Sequence, residues 1–303
     1  MKFRMLFILS FFALNVMAQE EDLLSSLGEE ETTNYATASF KTNRVINSHS
    51  LENTAAGVMD FKISHRFGSL NLSHPGMILN DFFGIDNALN VRIGFDYGLT
   101  NRLQIGIGRS SFGKSVDAYG KIKLLRQSKG KRNMPITASL FSSIYVSTLK
   151  WQFPDRENFF SSRLSFCNQL ILGRKFSDNF SLQFMPSMVH RNLVPSPELE
   201  NTVYAIGGAC RQKLTKRMAI NVEYYYVFPD QISPDLQNSL AIGIDIETGG
   251  HVFQLQFTNS SSMTEPGFIT QTTDDFFKGD IHFGFNISRV FTLKKPKEIR
   301  SID

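Results

Sequence analysis

Residues 108–115 read GRSSFGKS, which satisfies the phosphate-loop pattern G-x-x-x-x-G-K-[ST]. In that pattern glycine-rich backbone amides cradle phosphates and the lysine neutralises their charge. The chemistry requires a buried strand before the loop and a helix opening after it. The preceding strand instead alternates, with Leu103, Ile105 and Ile107 on one face and Gln104, Gly106 and Gly108 on the other. A strand sandwiched between helical layers reads almost wholly apolar. After the string, VDAYGKIKLLRQ fits a helical stripe or a strand, and Gly120 disfavours a helix interior. No acidic partner strand for magnesium stands out, since Leu240 to Asp245 runs into a hairpin turn. The expectation is a tight turn with Arg109 and Lys114 at its rim, and no nucleotide.

The remaining reactive residues are scattered. His49, His65, His74, His190, His251 and His282 show no ligand spacing, and no C-x-x-C proposes a metal. Ser64 beside His65 suggests nucleophile and base, but adjacent residues on a strand point to opposite faces. Cys167 and Cys210 either pair in an oxidising compartment or remain two buried thiols. No catalytic, cofactor or metal residue is therefore expected, and the chain is not read as an enzyme.

Charge patterning is more informative. Lys62, Arg66, Arg92, Asp96, Lys121, Lys123, Arg163, Glu223, Asp245 and Glu247 share the polar parity of alternating segments. The lumen-lining candidates are Arg92, Asp96, Gln104, Arg163, Glu223, Asp245, Gln254 and Asn286. One reading is a charged lumen that selects solutes. The other is that mixed charges pair with one another and fill a narrow barrel.

The elements that must position these residues repeat as hairpins. LNVRIGFDYGL alternates strictly, and Thr100-Asn101-Arg102 turns it into the next run. Ser177-Asp178-Asn179, Thr215-Lys216-Arg217 and Thr248-Gly249-Gly250 do the same elsewhere. Longer connections fall at 71–87, 127–134, 150–158, 192–201, 229–237 and 260–278. Strands are predicted near 39–47, 58–68, 88–98, 102–110, 116–126, 135–149, 160–175, 180–191, 202–213, 218–228, 239–247, 251–259 and 281–291. That makes thirteen, whereas bacterial barrels use an even number. Twelve is preferred and fourteen is the alternative; either one prediction is wrong or the first segment is not in the wall.

The chain opens MKFRMLFILSFFALNVMA, a secretory signal peptide at 1–18 with cleavage near Ala18. Cleavage removes Lys2 and Arg4 from 32 basic residues, against 28 acidic ones, a balance that does not suggest nucleic-acid binding. An acidic, flexible segment is expected at 19–37, the barrel at 38–292 and a polar tail at 293–303. No later run approaches the length of a helical membrane span.

The fold class predicted is all-β: a closed antiparallel transmembrane β-barrel of about twelve strands. Strands of ten or more residues are long enough to cross a bilayer when tilted. Aromatics gather at strand ends, including Phe40, Phe95 with Tyr97, Phe159 with Phe160, Tyr224 with Tyr226 and Phe228, and Phe283 with Phe285 and Phe291. A secreted soluble sandwich would alternate too and stands as the alternative. DIHFGFNISRVFTL closes on an aromatic, like the last strand by which assembly machinery recognises a barrel, although a polar tail follows it.

ASFKTNRVINSHSLENTAAGVMDFKISHRFG, FDYGLTNRLQIGIGRSSF, LLRQSKGKRNMP, GRKFSDNFSLQ, DIETGGHVFQLQFTNS and GDIHFGFNISRVF cover most of the mature chain. Together they resemble an uncharacterised family of Bacteroidetes-type outer-membrane β-barrels known as a domain of unknown function. The resemblance implies a transmembrane barrel at the outer membrane and carries over no activity or site. The function expected is a passive pore or transport accessory. The alternatives are a partner-binding barrel acting through its loops or acidic segment, then a lipid-acting enzyme. Its expected partners are outer-membrane lipid and, through the last strand, the barrel-assembly machinery.

Overall fold

The computed structural model describes residues 32–70, 72, 75–194, 196 and 199–294. The predicted signal peptide, residues 19–31 of the acidic segment, His74 and the tail beyond Lys294 lie outside the described residues. Two compact units are present. The smaller contains a two-stranded antiparallel sheet of β1 (Thr33–Tyr35) and β6 (Ser128–Gly130).

The larger unit is the barrel. Its wall strands are β2 (Val58–Ser69), β3 (Ala88–Gly98), β4 (Leu103–Ser110), β5 (Ser115–Leu125), β7 (Thr137–Ser147) and β8 (Leu164–Lys175). They continue as β9 (Phe180–Arg191), β10 (Thr202–Lys213), β11 (Met218–Val227), β12 (Leu240–Thr248), β13 (His251–Thr258) and β14 (His282–Thr292). Every neighbour in the wall pairs antiparallel, and β14 pairs with β2, so the sheet closes on itself without an edge. Twelve strands form the wall, as preferred from the sequence.

The alternation seen in the sequence is inverted relative to a water-soluble sheet. Along β4, Gln104 and Ser110 are fully buried, while Ile105 and Ile107 on the other face are exposed. Ile93, Phe95, Tyr204, Ile206, Ile242, Ile244, Phe253, Leu255 and Phe257 continue this exposed apolar face around the barrel. Such a continuous apolar exterior over a polar interior suits hydrocarbon, where closure also leaves no unpaired backbone groups.

Two glycines in β4 show why that strand reads as it does. A Cβ on Gly108 would come within 2.2 Å of an Arg92 guanidinium nitrogen, and one on Gly106 within 2.3 Å of the Tyr119 ring. The inward face of β4 is bare because neighbouring strands lay large side chains across it. Gly108 is also the first residue of the phosphate-loop string. After it come a single 3-10 turn at Phe112–Lys114 and then β5, with Gly113 at a left-handed φ of 58°. The string is a hairpin connection, and no helix follows it.

Four expectations need correction. The segment predicted as a strand at 39–47 is not in the wall; it runs inside the barrel. Phe40 accordingly leaves the aromatic girdle, being 2% exposed in the interior. Residues 160–163 form a 3-10 turn rather than the start of β8, because Arg163 caps the carbonyls of Ser147 and Leu149. The connection at 127–134, expected to be irregular, contains β6. Among the described residues no helix is long and apolar enough to cross a membrane.

Candidate functional site

The barrel interior is occupied by the chain itself. Before β2, the backbone turns in a tight hairpin, with Arg44 bridged to His49 and Val45 N–H donating to the Ser48 carbonyl at 2.8 Å. Ser50 N–H returns to the Asn43 carbonyl at 3.0 Å. Phe40, Val45, Ile46 and Leu51 supply its apolar side chains, all at most 2% exposed. They belong to one cluster with the inward side chains Phe141, Ile171, Met185, Val189 and Tyr225.

A buried hairpin must satisfy its backbone polar groups, and here wall side chains do so. Glu223 on β11 accepts from the backbone N–H groups of Ile46 (3.2 Å), Asn47 (2.9 Å) and Ser48 (3.1 Å), and from the Ser48 hydroxyl (2.7 Å). Lys121 Nζ donates to the carbonyls of Asn43, Ser50 and Glu52 at 3.3, 3.0 and 2.6 Å. Gln183 plays the part of a neighbouring strand, accepting from Leu51 N–H and donating to the His49 carbonyl.

The residues proposed from alternation divide accordingly. Asp96 accepts from Asn43 Nδ2 at 2.9 Å and from Lys62 Nζ at 3.0 Å. Gln104 accepts from Thr54 N–H at 2.8 Å. Gln254 donates to the Val45 carbonyl and to Asp245, and Asn286 donates to the Ile46 carbonyl. Arg92 stays within the wall, forking onto Asp117 through Nε at 3.1 Å and Nη2 at 2.5 Å. Arg163 stands apart from the other seven, with its guanidinium stacked 3.9 Å over the ring of Trp151 outside the wall strands.

From the other mouth, the connection between β13 and β14 also folds inward. Its short helix, Glu265–Thr270, is wholly buried. Glu265 accepts from the Tyr145 hydroxyl, lies 3.5 Å from Arg44 Nη1 and 3.8 Å from His49 Nε2, while Phe268 packs edge-on against Tyr225. Sequence reasoning missed both inserts. A cavity of about 920 Å³ remains at the short-turn mouth, lined by Lys41, Asp60, Arg217, Glu247 and His251 among others.

Cys167 is fully buried and inward, whereas Cys210 sits at the opposite parity on β10; both are free thiols. Among the described residues, no three His, Cys, Asp or Glu side chains are placed to hold a metal.

The match to known families decides the class. The model of a membrane bound beta barrel domain (DUF5777) covers residues 40–291. The chain belongs to this family. The match begins at Phe40, so the DUF5777 domain takes in the luminal hairpin as well as the wall. No curated protein matches the chain. Among solved structures, the NanC porin is similar at 9% identity and a TM-score of 0.46, covering 77% of this chain and 98% of its own. The KdgM porin gives 9% and 0.46 over 77% and 99%. The Acinetobacter baumannii outer membrane protein Omp33 gives 8% and 0.39 over 77% and 97%.

One contact in this DUF5777 barrel should respond to pH. Asp274, in the infolded connection, meets His282 Nε2 at 2.6 Å, and this hydrogen bond holds its carboxyl below the usual carboxylate range. A depressed carboxyl stabilises the fold fully above its unfolded pKa of about 4, and the contribution fades as pH falls through the folded value. The protection factors of amides in residues 271–281, taken against the intrinsic exchange rate at each pH, should therefore fall on acidification below about pH 4 in the native protein. Asp274→Asn should show lower protection at neutral pH and lose that pH response; an unaltered protection profile would show that the pair does not anchor the connection.

Proposed function

We propose that this chain is an outer-membrane pore or transport barrel whose passage is closed by its own N-terminal hairpin. The observation that carries this reading is how the hairpin is held. Among the described residues, apart from a single bridge between Ala56 and Gly98, it forms no ladder with the wall. Side chains of Asp96, Gln104, Lys121, Gln183, Glu223, Gln254 and Asn286 hold it instead. Bonds of that kind exchange with water one at a time. Withdrawal would leave these amides and charges along the passage, beside the inward apolar patch of Phe141, Ile171, Met185 and Tyr225 that the seated hairpin covers. In this reading the short turns are periplasmic and the long connections extracellular. The apolar exterior meets outer-membrane lipid, and β14 is the strand offered to the assembly machinery.

Glu223 is the place to test it. Glu223→Ala removes the acceptor of three buried N–H groups, each costing about 1–3 kcal/mol if left unpaired. In planar bilayers the native protein should be mostly closed, and folded Glu223→Ala should conduct in long openings. Folding is verified by the retarded boiled band on detergent gels. A folded variant as silent as the native protein would overturn the pore and favour a structural or partner-binding barrel.

A further inference from the structure

The two inserts enter from opposite mouths and meet at one carboxylate. The hairpin precedes β2 on the short-turn side; the helix Glu265–Thr270 belongs to the connection between β13 and β14 on the long-loop side. Glu265 is 1% exposed and is the meeting point of three side chains: Arg44 and His49 of the hairpin and Tyr145 of β7. Arg44 Nη1 is fixed in turn by the Asn47 carbonyl at 2.6 Å, within the tip that Glu223 grips. His49 is clamped between Tyr119 and Phe141, with ring centroids 4.4 and 4.2 Å away, and neither ring nitrogen makes a hydrogen bond. Its orientation is set by packing, so a shift of Glu265 meets little resistance from His49 itself.

The connection bearing Glu265 is also tethered at its outer ends. Asn90 Nδ2 on β3 donates to the Ser261 carbonyl at 3.0 Å, and Asn259 Nδ2 to the Asp274 carbonyl at 2.8 Å. Leu72 N–H, in the neighbouring long connection, reaches the Gly279 carbonyl at 3.3 Å. Moving the outer part of this connection therefore pulls on the segment that carries Glu265.

We infer that Glu265 is a latch by which the long-loop side controls the hairpin: lifting this connection from the outer mouth releases the hairpin toward the inner one. The inference rests on the hairpin being the closure of the passage, and it names what regulates that closure. A buried arginine–carboxylate contact is costly to half-break, so each seated insert holds the other, and losing one partner loosens the second. An agent that binds the long-loop surface then acts on the opposite mouth without entering the passage.

The test follows hairpin position and conductance separately. Val45→Cys, placed in a background of Cys167→Ser and Cys210→Ser, reports hairpin release, because the Val45 side chain is buried while the hairpin is seated and takes no part in its polar contacts. The probe is a charged, membrane-impermeant maleimide applied to the folded protein in vesicles. Glu265→Gln and Arg44→Gln should each raise the labelling rate about tenfold or more, since each loses a charge-assisted contact. The two together should add little to either alone, because they break one shared contact. Tyr145→Phe, which keeps the ring and removes only a hydroxyl, should give a smaller rise in the same direction. Unchanged labelling in folded Glu265→Gln and Tyr145→Phe would overturn the latch. If those variants label quickly while Glu223→Ala does not conduct, the latch stands and the pore reading falls. If Glu223→Ala conducts while they label at the native rate, the pore stands and the latch falls.

Discussion

Asp117→Ala should destabilise the barrel by about 3–5 kcal/mol, the cost of leaving one member of a buried ion pair behind. Asp117 and Arg92 are each 3% exposed, and two of the guanidinium nitrogens are committed to the carboxylate. Arg92 cannot turn toward water, because it lies across Gly94 of β3 and Gly108 of β4, which leave just enough space. The protonated guanidinium therefore stays buried when its partner goes. Replacing both residues by apolar side chains of similar volume, as in Arg92→Met with Asp117→Leu, should restore most of the loss. Urea titrations in lipid vesicles, read as the folded fraction on unboiled gels, measure both. A single substitution costing under about 1 kcal/mol would show that water reaches Arg92, and that the wall between β3 and β5 is wetter than its packing indicates.

The same residues show what the sequence disclosed and what it concealed. Alternation was readable because a lipid-facing wall demands strict parity, and the short polar turns fixed where strands reverse. That sufficed for twelve strands and for the inward placement of Arg92, Asp96, Gln104 and Glu223. The hairpin was concealed because its residues also alternate, and ASFKTNRVIN reads as one more strand. A signal was available: Phe141, Tyr145, Ile171, Met185, Val189 and Tyr225 fall on the inward parity. Large apolar side chains facing a water-filled lumen would be unfavourable, so their presence calls for something apolar inside. Phe40, Val45, Ile46 and Leu51 meet that need. Glu265 was beyond reach for another reason: the connection between β13 and β14 has no periodicity, and nothing local says that it folds inward. Arg163 was misplaced because parity was extended through residues 160–163, where the chain is a 3-10 turn and parity has no meaning.

Leu255→Arg should cost about 2–4 kcal/mol in a bilayer, the penalty for a cation at the midplane of a barrel's outer face. Leu255 lies midway along β13, paired with Ile244 on β12 and Phe285 on β14, and is 43% exposed while its neighbours Gln254 and Gln256 are buried. Leu293 is more exposed still, at 62%, but follows the end of β14, so Leu293→Arg should cost no more than about 1 kcal/mol because the penalty falls toward the interface. Exposure alone ranks these two substitutions in the wrong order; depth in hydrocarbon ranks them correctly. If the exterior met water, both would sit within about 0.5 kcal/mol of the native protein, like ordinary surface changes. Refolding each variant into vesicles and titrating with urea separates the two cases. Equal, near-zero costs at Leu255 and Leu293 would remove the bilayer from around the wall, and with it the physical reason for a polar interior.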